Sequence, residues 1–310
     1  MLKDKRILLT GGNGFVGRYV QQKLEDKGCE DITIVGSDKD LRLRQNATDA
    51  VRDIDVVVHL AARVGGIGYN QQFPASLFFD NAMMGLNIIH EAELEGVEKF
   101  VCVGTICAYP KFTDIPFKEE NLWDGYPEET NAPYGLAKKM LLVQLQAYRK
   151  QYGFNGIYLL PVNLYGPGDN FDVEQSHVVP ALIKKCIYAR DNNEKSVTVW
   201  GTGEVSREFL YVEDCAEAII LATEKYNKPD PINIGSGFEI KIKDLVYLIK
   251  QYTGYDGGIV WDKTKPDGQP RRKLDIRKAQ KEFGFISHTM LEEGLLKTIK
   301  WYEENGKNDC

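Results

Sequence analysis

The chain has 310 residues, of which 43% are apolar and 27% are charged, and it carries a net charge of −6. This composition is ordinary for a globular protein with one large or two modest cores. The acidic balance argues against nucleic-acid binding, which requires clustered Lys and Arg. No segment approaches the roughly 20 apolar residues of a membrane span, and no signal-peptide core is present, so we expect a cytoplasmic protein.

The first half of the chain alternates strand and helix patterns. Short apolar runs at 6–10, 31–35, 55–60 and 100–103 are separated by segments with helical periodicity. Strands that alternate with helices are typical of a parallel sheet covered on both faces. We therefore predict an α/β fold with a Rossmann-type doubly wound parallel sheet.

The pattern changes after about Gly166, where Gly, Pro, Asn and Asp become frequent. We predict a dinucleotide-binding domain over 1–165 and a smaller, mixed α/β substrate-binding domain over 166–310. A strand and a helix near 207–236 are expected to return to the first domain.

Six cysteines are scattered along the chain without a CxxC pair or a Cys/His cluster: Cys29, Cys102, Cys107, Cys186, Cys215 and Cys310. This spacing predicts free thiols in a reducing compartment and no metal site. All except Cys107 are expected to be packing or surface residues.

A glycine loop lies between the first strand and the first helix, with Gly11, Gly14 and Gly17 in the pattern GxxGxxG. Glycines at such a junction permit a tight turn and a close approach of the backbone to a pyrophosphate. The loop therefore predicts NAD or NADP binding. After the second strand, Asp38 could bond a ribose hydroxyl, whereas Lys39 and nearby arginines could reach a 2′-phosphate, and we favour NADP.

A hydroxyl, a phenol and an amine form the second constellation. Tyr134 and Lys138 are spaced i, i+4 on a predicted helix, and Thr105 follows the fourth strand. An ammonium on the same helix face can lower the pKa of a phenol. A phenol tuned in this way can exchange a proton with a sugar hydroxyl during hydride transfer, while Thr105 orients the substrate carbonyl.

With these motifs the chain resembles the extended short-chain dehydrogenase/reductases that act on nucleotide sugars, and more narrowly the GDP-L-fucose synthase family. The resemblance covers nearly the whole chain. It is carried by "HLAARVGGIGYN", "CAYPKF", "YGLAK", "PVNLYGPGDNFD", "SHVVPALIKK", "VWGTGEVSREFLYVED" and "KPDGQPRRKLD". It implies C3/C5 epimerisation of a GDP-4-keto-6-deoxyhexose, then NAD(P)H-dependent reduction at C4, in a homodimer formed through helices that include the YxxxK segment.

The resemblance also implies that Cys107 and His177 are catalytic, together with Thr105, Tyr134 and Lys138. A 4-keto group acidifies the protons on C3 and C5, because the carbanion delocalises as an enolate. Inversion then needs one group to remove a proton and another to return it on the opposite face. A thiolate and an imidazolium can do this near neutral pH.

Binding roles follow from the same resemblance. The cofactor-binding set is Gly11, Asn13, Gly14, Phe15, Val16, Gly17, Asp38, Lys39, Leu60, Ala61, Ala62, Tyr134, Lys138, Pro161, Asn163, Leu164 and His177. The substrate-binding set is Asn163, Val178, Leu182, Lys185, Trp200, Arg207, Asp267 and Arg272.

The chain departs from the family pattern at three positions. Thr105 stands where serine is common, and Asn13 and Gly36 stand where NADP-binding members place arginine. The last two departures weaken the expectation of NADP and of net reduction. Two other hypotheses therefore stay open: an epimerase that holds NAD tightly without net redox change, and a non-catalytic dinucleotide-binding regulator.

Overall fold

The computed structural model describes residues 2–172 and 175–306, so that Cys310 lies outside the described residues. The strands are β1 (Ile7–Thr10), β2 (Ile32–Val35), β3 (Val56–His59), β4 (Lys99–Val103), β5 (Gly156–Pro161), β6 (Asn163–Tyr165), β7 (Ser196–Trp200), β8 (Ser206–Tyr211), β9 (Ile232–Ile234), β10 (Glu239–Lys241), β11 (Gly258–Asp262) and β12 (Arg271–Arg272). The helices are α1 (Phe15–Asp26), α2 (Arg44–Val51), α3 (Ile67–Gln72), α4 (Pro74–Leu94), α5 (Ala132–Tyr152), α6 (Val178–Asp191), α7 (Val212–Lys225), α8 (Ile242–Tyr252), α9 (Arg277–Phe283) and α10 (Leu291–Asn305).

The main sheet has six parallel strands in the order β2-β1-β3-β4-β5-β9. Its central strands are mostly apolar, with Thr10 and His59 only at the ends of β1 and β3, and all four residues of each of these two strands are buried. Continuous apolar strands are required here because helices cover both faces of a parallel sheet. The predicted fold class is confirmed.

Two groups of helices cover this sheet. Helix α1 packs on α7, which also contacts α9, whereas α4 packs on both α2 and α5. Right-handed crossovers, with the reversal of strand order next to β1, place α1 on the face opposite α2, α4 and α5. The packing of α7 on α1 places α7 on the α1 face as well.

The remaining strands form two smaller sheets. Strand β8 pairs with β6, β10 and β12, and β7 pairs with β11. A second cluster of buried residues lies among these strands and α6, α8 and α10. The segment 207–236 divides between the two cores, since β8 joins the second sheet while α7 and β9 pack in the first core. The proposed domain division at residue 165 stays a prediction.

The strand order reverses next to β1, and the loops that follow β1, β3, β4 and β5 therefore meet at one edge of the main sheet. Ligands of doubly wound sheets bind at this carboxyl edge, in the crevice at the switch point. The glycine loop, the segment 60–66, the segment 104–108 and the residues from Pro161 onward all reach this edge.

Candidate active site

A cleft of about 1490 Å³ runs along the carboxyl edge of the main sheet and continues to the second core. All the residues that the sequence predicted to be catalytic or substrate-binding line it. The predicted cofactor residues also line it, with the exception of Asp38. The fold thus gathers into one cavity residues that span positions 11 to 272 in the chain.

The glycine loop fits a pyrophosphate for reasons that are visible in its backbone. Gly11 has φ +72°, and a Cβ there would lie 2.8 Å from the backbone nitrogen of Ala61. A Cβ on Gly17 would lie 2.2 Å from the carbonyl oxygen of Gly11. Gly14 occupies the N-cap of α1 and has no side chain that could bond the first N–H groups of the helix. Those N–H groups are therefore available to an anion.

Thr105 and Cys107 are held by a single turn of 3-10 helix at Ile106–Ala108, directly after β4. The Thr105 hydroxyl caps this turn by accepting a hydrogen bond of 3.1 Å from the backbone N–H of Cys107. The cap fixes the thiol relative to the hydroxyl. Cys107 is partly exposed in the cleft, whereas Cys29, Cys102, Cys186 and Cys215 are buried free thiols, as expected for packing residues.

Tyr134 and Lys138 lie one turn apart near the start of α5, and both are buried at the cleft wall. Burial raises the pKa of the Tyr134 phenol, an effect that the Thr105 hydroxyl opposes only in part. Burial also lowers the pKa of Lys138. The expected lowering of the phenol pKa is thus absent here, because desolvation favours the neutral form of both groups. A neutral phenol is the form that can donate a proton.

His177 lies at the N-cap of α6 with extended backbone, and its side chain is exposed to the cleft. Desolvation by the surrounding protein lowers the pKa of the imidazole. His59 is different. It ends β3, is 1% exposed, and bonds the Thr10 hydroxyl through Nδ1 at 2.8 Å, which stabilises the strand end.

An arginine of the second sheet, Arg272 of β12, lies beside the Cys107 thiol. Nη1 of Arg272 lies 3.7 Å from Sγ of Cys107, and Nε of Arg272 donates to Gln269 at 2.9 Å. Gln269 in turn donates to the carbonyl oxygens of Pro110 and Lys111. The "KPDGQPRRKLD" and "CAYPKF" motifs are therefore joined by hydrogen bonds. The same contacts place a guanidinium N–H within hydrogen-bond distance of the Cys107 sulfur.

Arg207 of β8 is 8% exposed and donates to the carbonyl oxygens of Ser206 and Asp267. Burial, with the nearby Arg272 guanidinium, lowers the pKa of Arg207 to about 9. A pair of buried cations in a cleft has a net positive field that suits a diphosphate.

The remaining predicted substrate residues surround the same end of the cleft. The Asp267 carboxylate accepts from the backbone and the hydroxyl of Thr202, which fixes the turn after Trp200. Lys185 donates to the carbonyl oxygen of Thr198, and burial lowers its pKa. Val178 and Leu182 present the apolar face of α6, and Asn163 donates to the carbonyl oxygen of Glu208 at 2.8 Å.

Several residues that line the cleft were not identified from the sequence, among them Asp169 and Asn70. Asp169 is buried, and its Oδ2 has no hydrogen-bond partner among the described residues. Burial raises its pKa to about 7. Asn70 donates to Asn131, and its own Oδ1 lacks a partner in the described part of the chain. Asp169 lies inside the quoted "YGPGDNF" motif, which was the available signal, but its burial depends on tertiary packing.

The chain is similar in sequence to known proteins. The model of the NAD dependent epimerase/dehydratase family matches residues 7–235. The chain is 41% identical over 308 residues to a probable GDP-L-fucose synthase 1 of Oryza sativa subsp. japonica, covering 98% of this chain and 93% of that protein. It is 38% identical to the GDP-L-fucose synthase of Escherichia coli (strain K12), covering 98% of each chain.

A solved structure is also similar. A GDP-L-fucose synthetase from Naegleria fowleri bound to NADP superposes with a TM-score of 0.90 at 29% identity, covering 99% of this chain and 96% of that one. The chain therefore belongs to the NAD dependent epimerase/dehydratase family and, within the extended short-chain dehydrogenase/reductases, to the GDP-L-fucose synthase family, whose cofactor is NAD or NADP.

Proposed function

We propose that this protein is a GDP-sugar epimerase/reductase. It converts a GDP-4-keto-6-deoxyhexose, of which GDP-4-keto-6-deoxymannose is the first candidate, to GDP-L-fucose or a close analogue. The observation that carries the proposal is a single cleft that contains both Cys107 with His177 and Tyr134 with Lys138. Epimerisation and reduction centre on the same keto group, so both sets of residues must reach one bound sugar.

Cys107 and His177 are proposed to invert C3 and C5. Cys107 as thiolate removes a carbon-bound proton, the electron pair moves onto the C4 oxygen as an enolate, and imidazolium returns a proton on the opposite face. Nη1 of Arg272, 3.7 Å from Sγ, orients the sulfur at the cleft wall. Desolvation by the protein around the cleft lowers the pKa of His177. An anionic diphosphate in that cleft favours its charged form.

Tyr134 is proposed to donate a proton to the C4 oxygen during reduction. When bound, the nicotinamide cofactor supplies the hydride. Burial keeps the phenol protonated at neutral pH, because its pKa is raised. Lys138, one helical turn away, stabilises the phenolate that remains, and the Thr105 hydroxyl orients the carbonyl.

The decisive experiment is mass spectrometry of the product after incubation with GDP-4-keto-6-deoxymannose and NADH or NADPH in deuterated water. Deuterium retained on carbon together with the mass gain of reduction is the expected result. Reduction without carbon-bound deuterium would remove the epimerase half of the proposal. Deuterium exchange without reduction would favour the epimerase that performs no net redox change.

We also propose that the enzyme is a homodimer formed through α4 and α5. These helices pack on each other and expose apolar side chains, including Phe78, Phe79 and Leu94 of α4 and Val143 of α5. Light scattering coupled to size exclusion tests this, and a Val143→Glu variant that stays dimeric would contradict it.

A cytoplasmic location is part of the proposal. No helix within the described residues is long and apolar enough to cross a membrane. The free thiols among the described cysteines suit a reducing compartment.

A further inference from the structure

The end of the cleft beside β2 is where the adenosine ribose of a dinucleotide is recognised in this fold. It is formed by the residues that follow β2, by the glycine loop, and by the loop that follows β3. An acidic side chain about 20 residues after the third glycine marks enzymes that use the free 2′-hydroxyl, whereas arginine there marks those that use the 2′-phosphate. We call this end the ribose end, defined by Asn13, Gly36, Asp38, Asp40 and Arg42.

Asn13 and Asp38 converge above Gly36. A Cβ built on Gly36 would lie 2.8 Å from Nδ2 of Asn13 and 2.9 Å from Oδ1 of Asp38. The carboxylate of Asp38 therefore turns back toward the glycine loop, although Asp38 itself does not line the open cleft. An amide donor and a carboxylate acceptor at one point match the donor and acceptor of a ribose hydroxyl. A 2′-phosphate at that point would meet negative charge.

The arginine of the ribose end is already engaged. Arg42 donates to both oxygens of Asp40 at 2.9 Å and 2.8 Å, and to Oδ1 of Asp80 at 2.8 Å. A buried carboxylate holds it there, because Asp80 is 7% exposed. A phosphate would have to displace carboxylates that already satisfy the guanidinium.

The neighbouring cations add little positive charge that a 2′-phosphate could use. Arg63 donates to Oδ2 of the same Asp80 at 2.9 Å and to the Tyr69 hydroxyl at 2.8 Å. Lys39 lines the cleft, and no carboxylate within the described residues forms an ion pair with it. The positive charges of Arg42, Arg63 and Lys39 are balanced by the negative charges of three carboxylates, Asp38, Asp40 and Asp80. The ribose end therefore lacks the net positive charge that a 2′-phosphate requires.

We propose that this protein selects NAD(H) over NADP(H), with Asp38 accepting a hydrogen bond from the adenosine ribose 2′-hydroxyl. This reverses the preference that the sequence suggested. Arg42 of the ribose end and the neighbouring Arg63 both pair with Asp80, a tertiary contact that the sequence could not show. The inference concerns the cofactor site of the proposed function but is tested without any sugar, so that the two can fail separately.

The test is isothermal titration calorimetry of the full chain, freed of bound nucleotide, with NAD⁺ and with NADP⁺. We expect wild-type protein to bind NAD⁺ at least tenfold more tightly. Asp38→Asn should weaken NAD⁺ binding about tenfold, since it removes a charged acceptor. The ratio of the NAD⁺ affinity to the NADP⁺ affinity should therefore become smaller. The matched control is Asp31→Asn, an exposed carboxylate before the opposite end of β2, which should change neither affinity.

A second variant guards against loss of folding in the first. Asp40→Asn removes one of the two carboxylates that hold Arg42, and it should raise NADP⁺ affinity several-fold. Tighter binding of NADP⁺ than of NAD⁺ by the wild-type protein would overturn the inference. If the ratio of NAD⁺ affinity to NADP⁺ affinity were the same in Asp38→Asn as in the wild type, the proposed role of Asp38 would be overturned.

Discussion

The two ends of the cleft differ in how they relate to the family pattern. At the reaction end, Thr105, Cys107, Tyr134, Lys138 and His177 match the family residues, with one serine replaced by threonine. At the ribose end, two arginines are replaced, and the arginines that are present pair with carboxylates. We therefore propose that separate groups of residues specify the reaction and the choice of cofactor, so that each can be changed without the other.

The largest effect is expected at the reaction end. Tyr134→Phe should reduce C4 reduction by roughly 10²- to 10⁴-fold, the range for loss of a general acid. Calorimetric binding of the cofactor should persist, because the ring remains. Rates are followed by the absorbance of the reduced nicotinamide.

The control for this variant is Tyr152→Phe, an exposed tyrosine at the end of the same helix. It should leave the rate unchanged. Reduction by Tyr134→Phe at the wild-type rate would contradict the proposed proton donor.

Cys107→Ser separates the two reactions that share the cleft. It should slow the exchange of solvent deuterium into C3 and C5 about a hundredfold, because a serine hydroxyl ionises far less readily than a thiol. Reduction of a 4-keto sugar that already has the product configuration should fall much less. Nuclear magnetic resonance of the sugar protons measures the first, and cofactor oxidation measures the second.

The matched control is Cys29→Ser, which alters a buried thiol of the first core rather than the cleft. It should lower stability without slowing exchange. Equal loss of exchange and reduction in Cys107→Ser would argue that Cys107 only maintains the site.

Trp200→Ala tests the nucleotide-sugar end. Trp200 is 47% exposed, lines the cleft, and has Nζ of Lys265 5.1 Å from its ring centroid. Stacking of a base on an aromatic ring contributes about 1–3 kcal/mol. We expect KM for the nucleotide sugar to rise roughly tenfold, with kcat within about threefold.

Trp123 provides a close control. It is also exposed and has a lysine, Lys139, over its ring, but it does not line the cleft. Trp123→Ala should leave KM unchanged. A change of KM in both variants would assign the effect to global stability.

Asp169→Asn tests the buried carboxyl of the cleft. Its pKa is about 7 in the folded protein and near 3.8 when exposed, so folding favours the protonated form. This stabilising contribution is complete below the lower value and is lost as pH rises through about 7. The variant mimics the protonated form, and its Tm should therefore fall less than that of the wild type between about pH 5 and pH 8.

The pKa difference is about 3 units, so at ~1.4 kcal/mol for each unit the expected gain near pH 8 is about 4 kcal/mol in the free energy of unfolding. Asp256→Asn, at an exposed position, is the control and should follow the wild-type curve. If the Tm of Asp169→Asn and the Tm of the wild type changed equally with pH, the carboxyl would be charged at neutral pH, contrary to this prediction.

Much of the fold could be predicted because its signals are local, and so could the placement of the glycine loop, Thr105, Tyr134 and Lys138. The roles of Cys107 and His177 rest on the family resemblance alone. Apolar runs mark the strands, and the motif residues sit directly after strands β1 and β4 or on one face of α5. Contacts between distant segments could not be predicted. The approach of Arg272 to Cys107 joins residues 165 positions apart. The pairing of Arg42 with Asp80 likewise exists only in the folded chain.

The same reason explains β8. Its sequence, SREFLY, begins with three polar or charged residues, yet all six of its residues are buried. Periodicity does not specify a partner strand, however, and β8 pairs in the second sheet rather than with the main one. Local pattern therefore defines the element, and the packing of the whole chain defines its neighbours.

The smallest effect is expected for Thr105→Ser. Thr105 is the one residue of the reaction end that departs from the family pattern, which has serine there. The Thr105 hydroxyl caps the turn that carries Cys107, and serine retains that hydroxyl. Loss of a buried methyl group should cost about 1 kcal/mol of stability, with both reaction rates within about threefold of the wild type. Thr105→Val keeps the shape and removes the hydroxyl, so it should slow both reactions far more, since the cap and the carbonyl contact are lost together. If valine were tolerated as well as serine, position 105 would matter only for packing. The agreement of the reaction end with the family pattern would then rest on the other four residues.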